Sequence, residues 1–423
     1  MQVYKLGKLC KVGSSKRIHL SDYVSEGVPF YRSKEVIELA NKKNISETLF
    51  ISQEKFNEIK QKFPVPCKND ILITSVGTIG IPYLVENENF YFKDGNLTWL
   101  RDFDENLVDI NFIFYFLKSN SFKKQVLNNN IGAVQKALTI DYLRTVNVNL
   151  PIKTVQKKIA SVLSDLDKKI ELNNQINAKL EQMAKTLYDY WFVQFDFPDD
   201  NGKPYKSSGG EMVYNETLKR DIPKGWEVET LDKHISIKRG ISYKSHEIQE
   251  TGTPFLNLNS FYLNGSFKVE GTKFFNGTTK SENLLKTGDL VVAVTDVTRN
   301  ADIIGKSFIV PNIYEESFLM SCDVAMIKSE KLPNSYLEKL FNSYNYHEYI
   351  KHYASGTLVL HLDTKGIGWF ETFIPSSNVL KKYDDLVQQI IARKIESIKQ
   401  NAELTKLRDW LLPMLMNGQV TVQ

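Results

Sequence analysis

The stretch TVQKKIASVLSDLDKKIELNNQINAKLEQMAKTLYDYW, residues 154–191, decides the architecture. In it Ile159, Leu163, Leu166, Ile170, Asn173, Asn177, Leu180, Ala184, Leu187 and Trp191 recur at spacings that alternate four and three, the seam of a coiled coil. No proline or glycine interrupts the run. At about 1.5 Å per residue, a helix from Thr154 to Trp191 extends on the order of 55 Å, longer than a compact domain needs for itself. Asn173 and Asn177 are expected in the seam, where polar side chains fix register.

A second stripe of the same kind closes the chain. Leu380, Tyr383, Val387, Ile391, Ile395, Ile398 and Ala402 continue into Leu404, Leu407 and Leu411, and Gly418 stands where such a helix should stop. Two helices of this kind can pair and act as a spacer; a hairpin that merely buries its own seam is the plainer alternative. Residues 151–191 hold seven Lys and five acidic residues, and residues 376–412 hold seven Lys plus Arg and five acidic residues. That balance suits the helices to each other and to a protein partner.

What precedes each helix is a repeat. Val3 falls on Val228 and Val28-Pro29-Phe30 on Thr253-Pro254-Phe255 at a shift of 225. Asn69-Asp70-Ile71-Leu72-Ile73 falls on Gly288-Asp289-Leu290-Val291-Val292 at 219, while Gly132 meets Gly356 and Leu150-Pro151 meets Ile374-Pro375 at 224. Each copy opens with short β-rich runs, continues through an aromatic helical segment (110–127 and 336–353), and ends in a glycine turn, a short strand and a proline. The chain is therefore read as 1–150, a first β-rich domain; 151–194, a central helix; 195–222, a polar linker; 223–375, a second β-rich domain; and 376–418, a C-terminal helix. The fold class is α+β, with two β-rich domains separated by two long antiparallel helices in a coiled coil and an internal pseudo-twofold repeat.

Composition bounds this reading. The chain has 423 residues, a net charge of +4, 42% hydrophobic and 25% charged residues, which suits two or three folded domains and excludes a disordered chain. So small a charge surplus does not by itself announce a polyanion partner. Cys10, Cys67 and Cys322 form no CxxC pair, against a disulfide framework or zinc knuckle. The N-terminus has no apolar core of a signal peptide, and the longest apolar run, Phe112 to Leu117, is too short to span a bilayer. A soluble cytoplasmic protein is expected.

The usual catalytic constellations are missing. Gly305-Lys306-Ser307 resembles the end of a phosphate loop, but position 300 is Asn300 where that loop requires glycine. There is no GxGxxG, and no Pro-Pro pair of the kind found where enzymes grip a flipped adenine. His347 and His352 are five apart and do not share a helix face. Asp199, Asp200 and Lys203 lie in the polar linker, where a solvated turn is expected.

Binding loops remain. Lys16-Arg17, Arg32 and Lys34, Thr74-Ser75 with Thr78, and Gln135-Lys136 in the first copy carry the residue types that reach phosphates and base edges. Lys238-Arg239, Tyr243-Lys244, Asn257 with Asn259, and Thr295, Thr298, Arg299 and Asn300 do so in the second. A solvated surface is the alternative for each alone. Their similar placement in both copies favours two like binding faces, with 74–80 and 295–300 as the candidate base-contacting loops.

The whole arrangement resembles the specificity subunit of type I restriction-modification systems. The resemblance is carried by Leu150-Pro151 with Gln156-Lys157-Lys158-Ile159-Ala160, by Leu180-Glu181-Gln182-Met183-Ala184 through Tyr190-Trp191-Phe192, by Ile222-Pro223-Lys224-Gly225-Trp226, and by Leu411-Leu412-Pro413-Met414 through Gly418. The second junction, 381–393, lacks the Gln-Lys-Lys-Ile-Ala spelling. The resemblance implies a non-catalytic reader of double-stranded DNA, each domain taking half of a bipartite site and the helix pair setting the spacer. It implies two methyltransferase subunits that bind S-adenosylmethionine, a restriction/translocase partner that uses ATP and Mg, and no cofactor in this chain. A self-sufficient modification enzyme and a helical scaffold without a DNA role are the alternatives.

Overall fold

The computed structural model describes residues 2–43, 45–86, 89–129, 137–314 and 317–422. The chain divides into two compact units, Met1–Glu171 with Asn401–Gln423, and Leu172–Gln400. The first long helix, Lys153–Tyr188, and the second, Ser377–Met416, each contribute to both.

In the first unit the central sheet runs in the order Lys11–Gly13, Leu97–Arg101, Ile71–Thr74, Pro82–Leu84. Ile71–Thr74 is buried along its whole length, as an unbroken apolar run between two covered faces requires. A second sheet runs Tyr23–Val24, Leu49–Ile51, Val28–Tyr31, Tyr91–Phe92, and Gln2–Lys5 pairs with Asn147–Leu150. The main core joins Ile71, Leu100, Phe112 and Phe116 to Ile159 and Leu163 of the first long helix and to Leu415 and Met416 of the second.

The second unit repeats this strand for strand. Its central sheet runs Ile235–Arg239, Val324–Ser329, Leu290–Ala293, Ser307–Ile309; its other sheet runs Ile248–Gln249, Lys273–Phe275, Thr253–Leu256, Leu319–Met320; and Glu227–Thr230 pairs with Glu371–Ile374. The register agrees as well. Ile71 lies opposite Leu100 as Leu290 lies opposite Ile327, and Pro29 opposite Phe50 as Pro254 lies opposite Phe274. The Asp70 carboxylate accepts from the Cys67 amide at 2.8 Å, and that of Asp289 accepts from the Lys286 amide at 2.7 Å. Gly27 and Gly252, at φ +152° and +134°, leave no room for a side chain: a Cβ would stand 2.3 Å and 2.4 Å from the carbonyl oxygens of Ile51 and Phe275.

The aromatic segments differ from the single helices expected. Each breaks into two, Ile110–Lys118 with Asn120–Asn129, and Asn334–Phe341 with Tyr344–Lys351. Ser119 and Ser343 stand at the breaks, their hydroxyls accepting from the amides of Phe122 and Tyr346, so each starts a new helix.

Within the second unit the segment expected as a polar linker is packed. Phe197 stacks on Tyr205 and Trp226 at 4.7 and 5.1 Å between centroids, Asp196 accepts from the Ser207 amide, and Met212–Asn215 pairs with Arg220–Pro223 as a hairpin. Widely spaced aromatics among polar residues supplied the anchors that composition alone did not reveal. The turn at Asp199 is solvated, with its carboxylate accepting from the Asn201 and Lys203 amides.

The helices run antiparallel within each unit. In the first, Asp167 meets Arg408 while Ile159 and Leu163 join Leu415 and Met416; in the second, Asn173 donates to Gln400 at 3.4 Å and Glu181 meets Lys394. Asn173 is buried in the seam as expected, and the Asn177 side-chain oxygen is buried there too. The second stripe differs from expectation in its later turns: Ala402 and Leu407 are exposed, and Arg408 takes the inward position. The helix runs through Pro413 to Met416, just short of Gly418, the expected stop. Among the described residues, no helix is long and apolar enough to cross a membrane.

Candidate nucleic-acid interface

In each unit the loop after the central buried strand is the best-built candidate. In the first, Ile71–Thr74 turns through 75–81 into Pro82–Leu84. Thr74 and Ser75 are not on its surface. The Thr74 hydroxyl accepts from the Ile81 amide at 3.0 Å, and Ser75 shares a hydrogen bond of 2.6 Å with Thr98. They shape the loop, whereas Thr78 is exposed at its tip.

In the second unit the matching loop is held by Asp296. This fully buried carboxylate accepts from the amides of Thr298 and Ile303 at 2.6 Å and of Ile304 at 3.1 Å. Thr295 is buried and donates to Asp323 at 3.0 Å; the Thr298 hydroxyl accepts from the Asp302 amide at 2.8 Å. Arg299 and Asn300 stand exposed between these anchors. Polar residues flanking the tip are thus consumed in fixing it, and the tip is left to meet a ligand.

The remaining candidates separate in the same way. Lys16 and Arg17 are exposed, Lys16 over the Phe63 ring at 4.3 Å and Arg17 4.0 Å from Asp94. Lys34 is exposed. Arg32 is committed to the fold: its guanidinium donates to the buried Glu35 at 2.6 Å and to Glu47 at 3.3 Å. Gln135 and Lys136, with Gly132 of the expected turn, lie outside the described residues. Lys238 donates to the Glu282 carbonyl and Arg239 to the Leu362 carbonyl at 2.9 Å. Tyr243 packs edge-on against Phe255 at 4.9 Å while Lys244 is exposed. Asn257 is buried and accepts from the Asn259 amide at 2.8 Å, leaving Asn259 exposed.

Two motifs set aside in the sequence are also placed. Gly305 adopts φ +70° against Tyr346 and Ile350, which is a packed turn. His347 is buried beside Lys306 and Lys351, and burial with these cations pushes its imidazole down to about 4. Sequence reasoning missed Asp296 as the organiser of its loop, although its position inside 295–300 was the available signal.

Residues 1–182 match the family described as the type I restriction modification DNA specificity domain. That match takes in the first β-rich region and most of the first long helix. The whole chain is similar to the type I restriction enzyme MjaIX specificity subunit of Methanocaldococcus jannaschii, 26% identical with 97% of this chain and 91% of that one covered. The HindI specificity subunit of Haemophilus influenzae is 25% identical, with 84% and 87% covered. In fold, the chain is similar to the crystal structure of the type I restriction-modification S subunit from M. genitalium, at a TM-score of 0.56, 17% identity, and 98% and 95% coverage.

Proposed function

We propose that this chain is the DNA sequence-recognition subunit of a type I restriction-modification complex and not its catalyst. Each β-rich region reads one half of a bipartite site in double-stranded DNA, and the long helices set the interval and carry two methyltransferase subunits. The observation that supports this best is the strand-for-strand repeat, because two like folds in one chain suit two half-sites. Arg299 and Asn300 on a fixed loop are the residue types that read guanine and adenine edges in the major groove.

For the protein partner, the first long helix offers exposed Met183 and Tyr190 around a groove of about 610 Å³ whose rim includes Lys179, Gln182 and Thr186. An apolar centre with a polar rim suits a protein interface. On this reading S-adenosylmethionine belongs to the methyltransferase partner, and ATP and Mg to the restriction/translocase partner. A gel-shift and methylation assay with and without the methyltransferase tests it. Sequence-dependent binding, with methylation only when the partner is present, is expected. Methylation by the chain alone would make it an enzyme, and no sequence-dependent shift would leave a scaffold.

A further inference from the structure

Beside the Asp296 loop, the second unit carries an exposed apolar tip that neither charge nor hydrogen-bonding character singles out. Thr295 pairs with His361 and Asp296 with Leu360, and the neighbouring strand pairs Ala354 with Leu362 and Ser355 with His361. The ladder ends at Asp296 with Leu360, and the residues just beyond that last pair, one on each chain segment, are Val297 and Val359. Val297 is 65% exposed, and Leu358, in the turn itself, is 88% exposed.

The tip is fixed by the backbone around it. Gly356 adopts φ +139°, and a side chain there would stand 2.0 Å from the Val359 carbonyl oxygen, so the turn closes on itself. Asp296 anchors the adjoining loop through three amides, and the Arg239 guanidinium donates to the Leu362 carbonyl at the base of the hairpin. Single exposed apolar residues are ordinary on a protein surface. Val297, Leu358 and Val359 instead cluster at one end of this small sheet, on fixed turns beside exposed Arg299, Asn300 and His361.

The occupant must be apolar at the point of contact and anionic around it. A lipid surface would meet a broader apolar face, and a protein groove would not need the flanking Arg299 guanidinium. The C5 methyl of thymine fits: it is the apolar feature of the major groove, set within a polyanion.

We propose that the hairpin tip bearing Leu358 and Val359, with Val297 beside it, is an apolar probe that reads a thymine methyl in the half-site of the second domain. This rests on the DNA-reading role proposed above. The test uses the full chain assembled with its methyltransferase partner, the duplex it selects from a random pool, and versions of that duplex with each thymine replaced in turn by uracil, which lacks only the methyl. Wild type is expected to bind about fourfold more weakly when one thymine in the second half-site is replaced, the worth of one buried methyl. Leu358→Ala or Val297→Ala, at exposed positions that leave the fold intact, should abolish that penalty and leave replacements in the first half-site unaffected. A second half-site made only of G·C pairs, a wild type indifferent to uracil there, or variants that keep the full penalty would overturn the probe while leaving the DNA-reading role standing. No sequence selection at all by the assembly would overturn the DNA-reading role itself, and the probe with it.

Discussion

The Arg408 guanidinium donates to the Asp167 carboxylate at 2.9 Å, joining the two long helices across a sequence separation of 241 residues. Within the first unit the same carboxylate accepts from Tyr115 at 2.9 Å and Lys118 at 3.5 Å, so one acid ties both long helices to the aromatic helix Ile110–Lys118. The second unit has the equivalent junction. There Glu181 of the first long helix accepts from Lys394 of the second and from Lys339 of the helix Asn334–Phe341. Each reading fold is thereby locked to its segment of helix pair.

Asp167→Ala leaves Lys118 and the Tyr115 hydroxyl without this acceptor, and Arg408 with Asp409 alone, in a partly buried site. The first unit should lose about 3 kcal/mol, measured by urea unfolding of the full chain. Asp409→Ala, which removes the exposed second partner of Arg408, should cost no more than about 0.5 kcal/mol.

The junctions make the protein acid-labile. Burial works to raise the Glu181 carboxyl, but Lys339 and Lys394 outweigh it and hold it at about 2. A carboxyl lowered by folding stabilises fully above its unfolded value of about 4.5, and that contribution is lost as pH falls from there toward about 2. Asp167 is lowered in the same direction: burial opposes it, and Lys118, Arg408 and Tyr115 prevail. The melting temperature should fall across this window, and Glu181→Gln should flatten the fall while lowering the plateau above it. An unchanged slope in the variant would show that other groups govern the acid limb.

Asp296→Ala removes the acceptor for three amides, those of Ile303 and Ile304 buried and that of Thr298 partly so. About 2 to 3 kcal/mol of stability should go, and hydrogen exchange at Thr298, Ile303 and Ile304 should accelerate ahead of the surrounding strands. Sequence discrimination in the second half-site should fall with it, because the loop presenting Arg299 would no longer be fixed.

Arg299→Ala touches no hydrogen bond that shapes the loop. Melting should be unchanged while affinity for the selected duplex drops by about 1 to 3 kcal/mol, the worth of a base-edge contact. Unaltered affinity and unaltered methylated sequence would remove Arg299 from the interface.

The repeat was legible in the sequence because strand runs such as 71–73 and 290–292 are apolar on both faces, and the long helices because their stripes are periodic. The phase of the second stripe near its end was not, since Leu407 and Arg408 compete for one inward position and only the presence of Asp167 decides it. Among candidate site residues, the exposed ones, Lys16, Arg17, Lys34, Thr78, Lys244, Asn259, Arg299 and Asn300, look the same in sequence as Arg32, Thr74, Ser75, Asn257 and Thr295, which serve the fold. Polar residues that shape a loop and polar residues that meet a ligand are chemically alike, and only burial separates them.

With a net charge of only +4, the isolated chain should bind DNA weakly. The assembly with methyltransferase subunits should bind tightly and with a steeper dependence on salt. Fluorescence anisotropy across a salt series would check both, and tight specific binding by the chain alone at physiological salt would contradict this account.

The central claim is that two like domains read two separated half-sites. Mapping the methylated adenines across the genome of a host carrying this chain and its methyltransferase tests it most directly. The account predicts a split motif with a fixed unread gap; a continuous motif, or a split one whose gap varies, would contradict it.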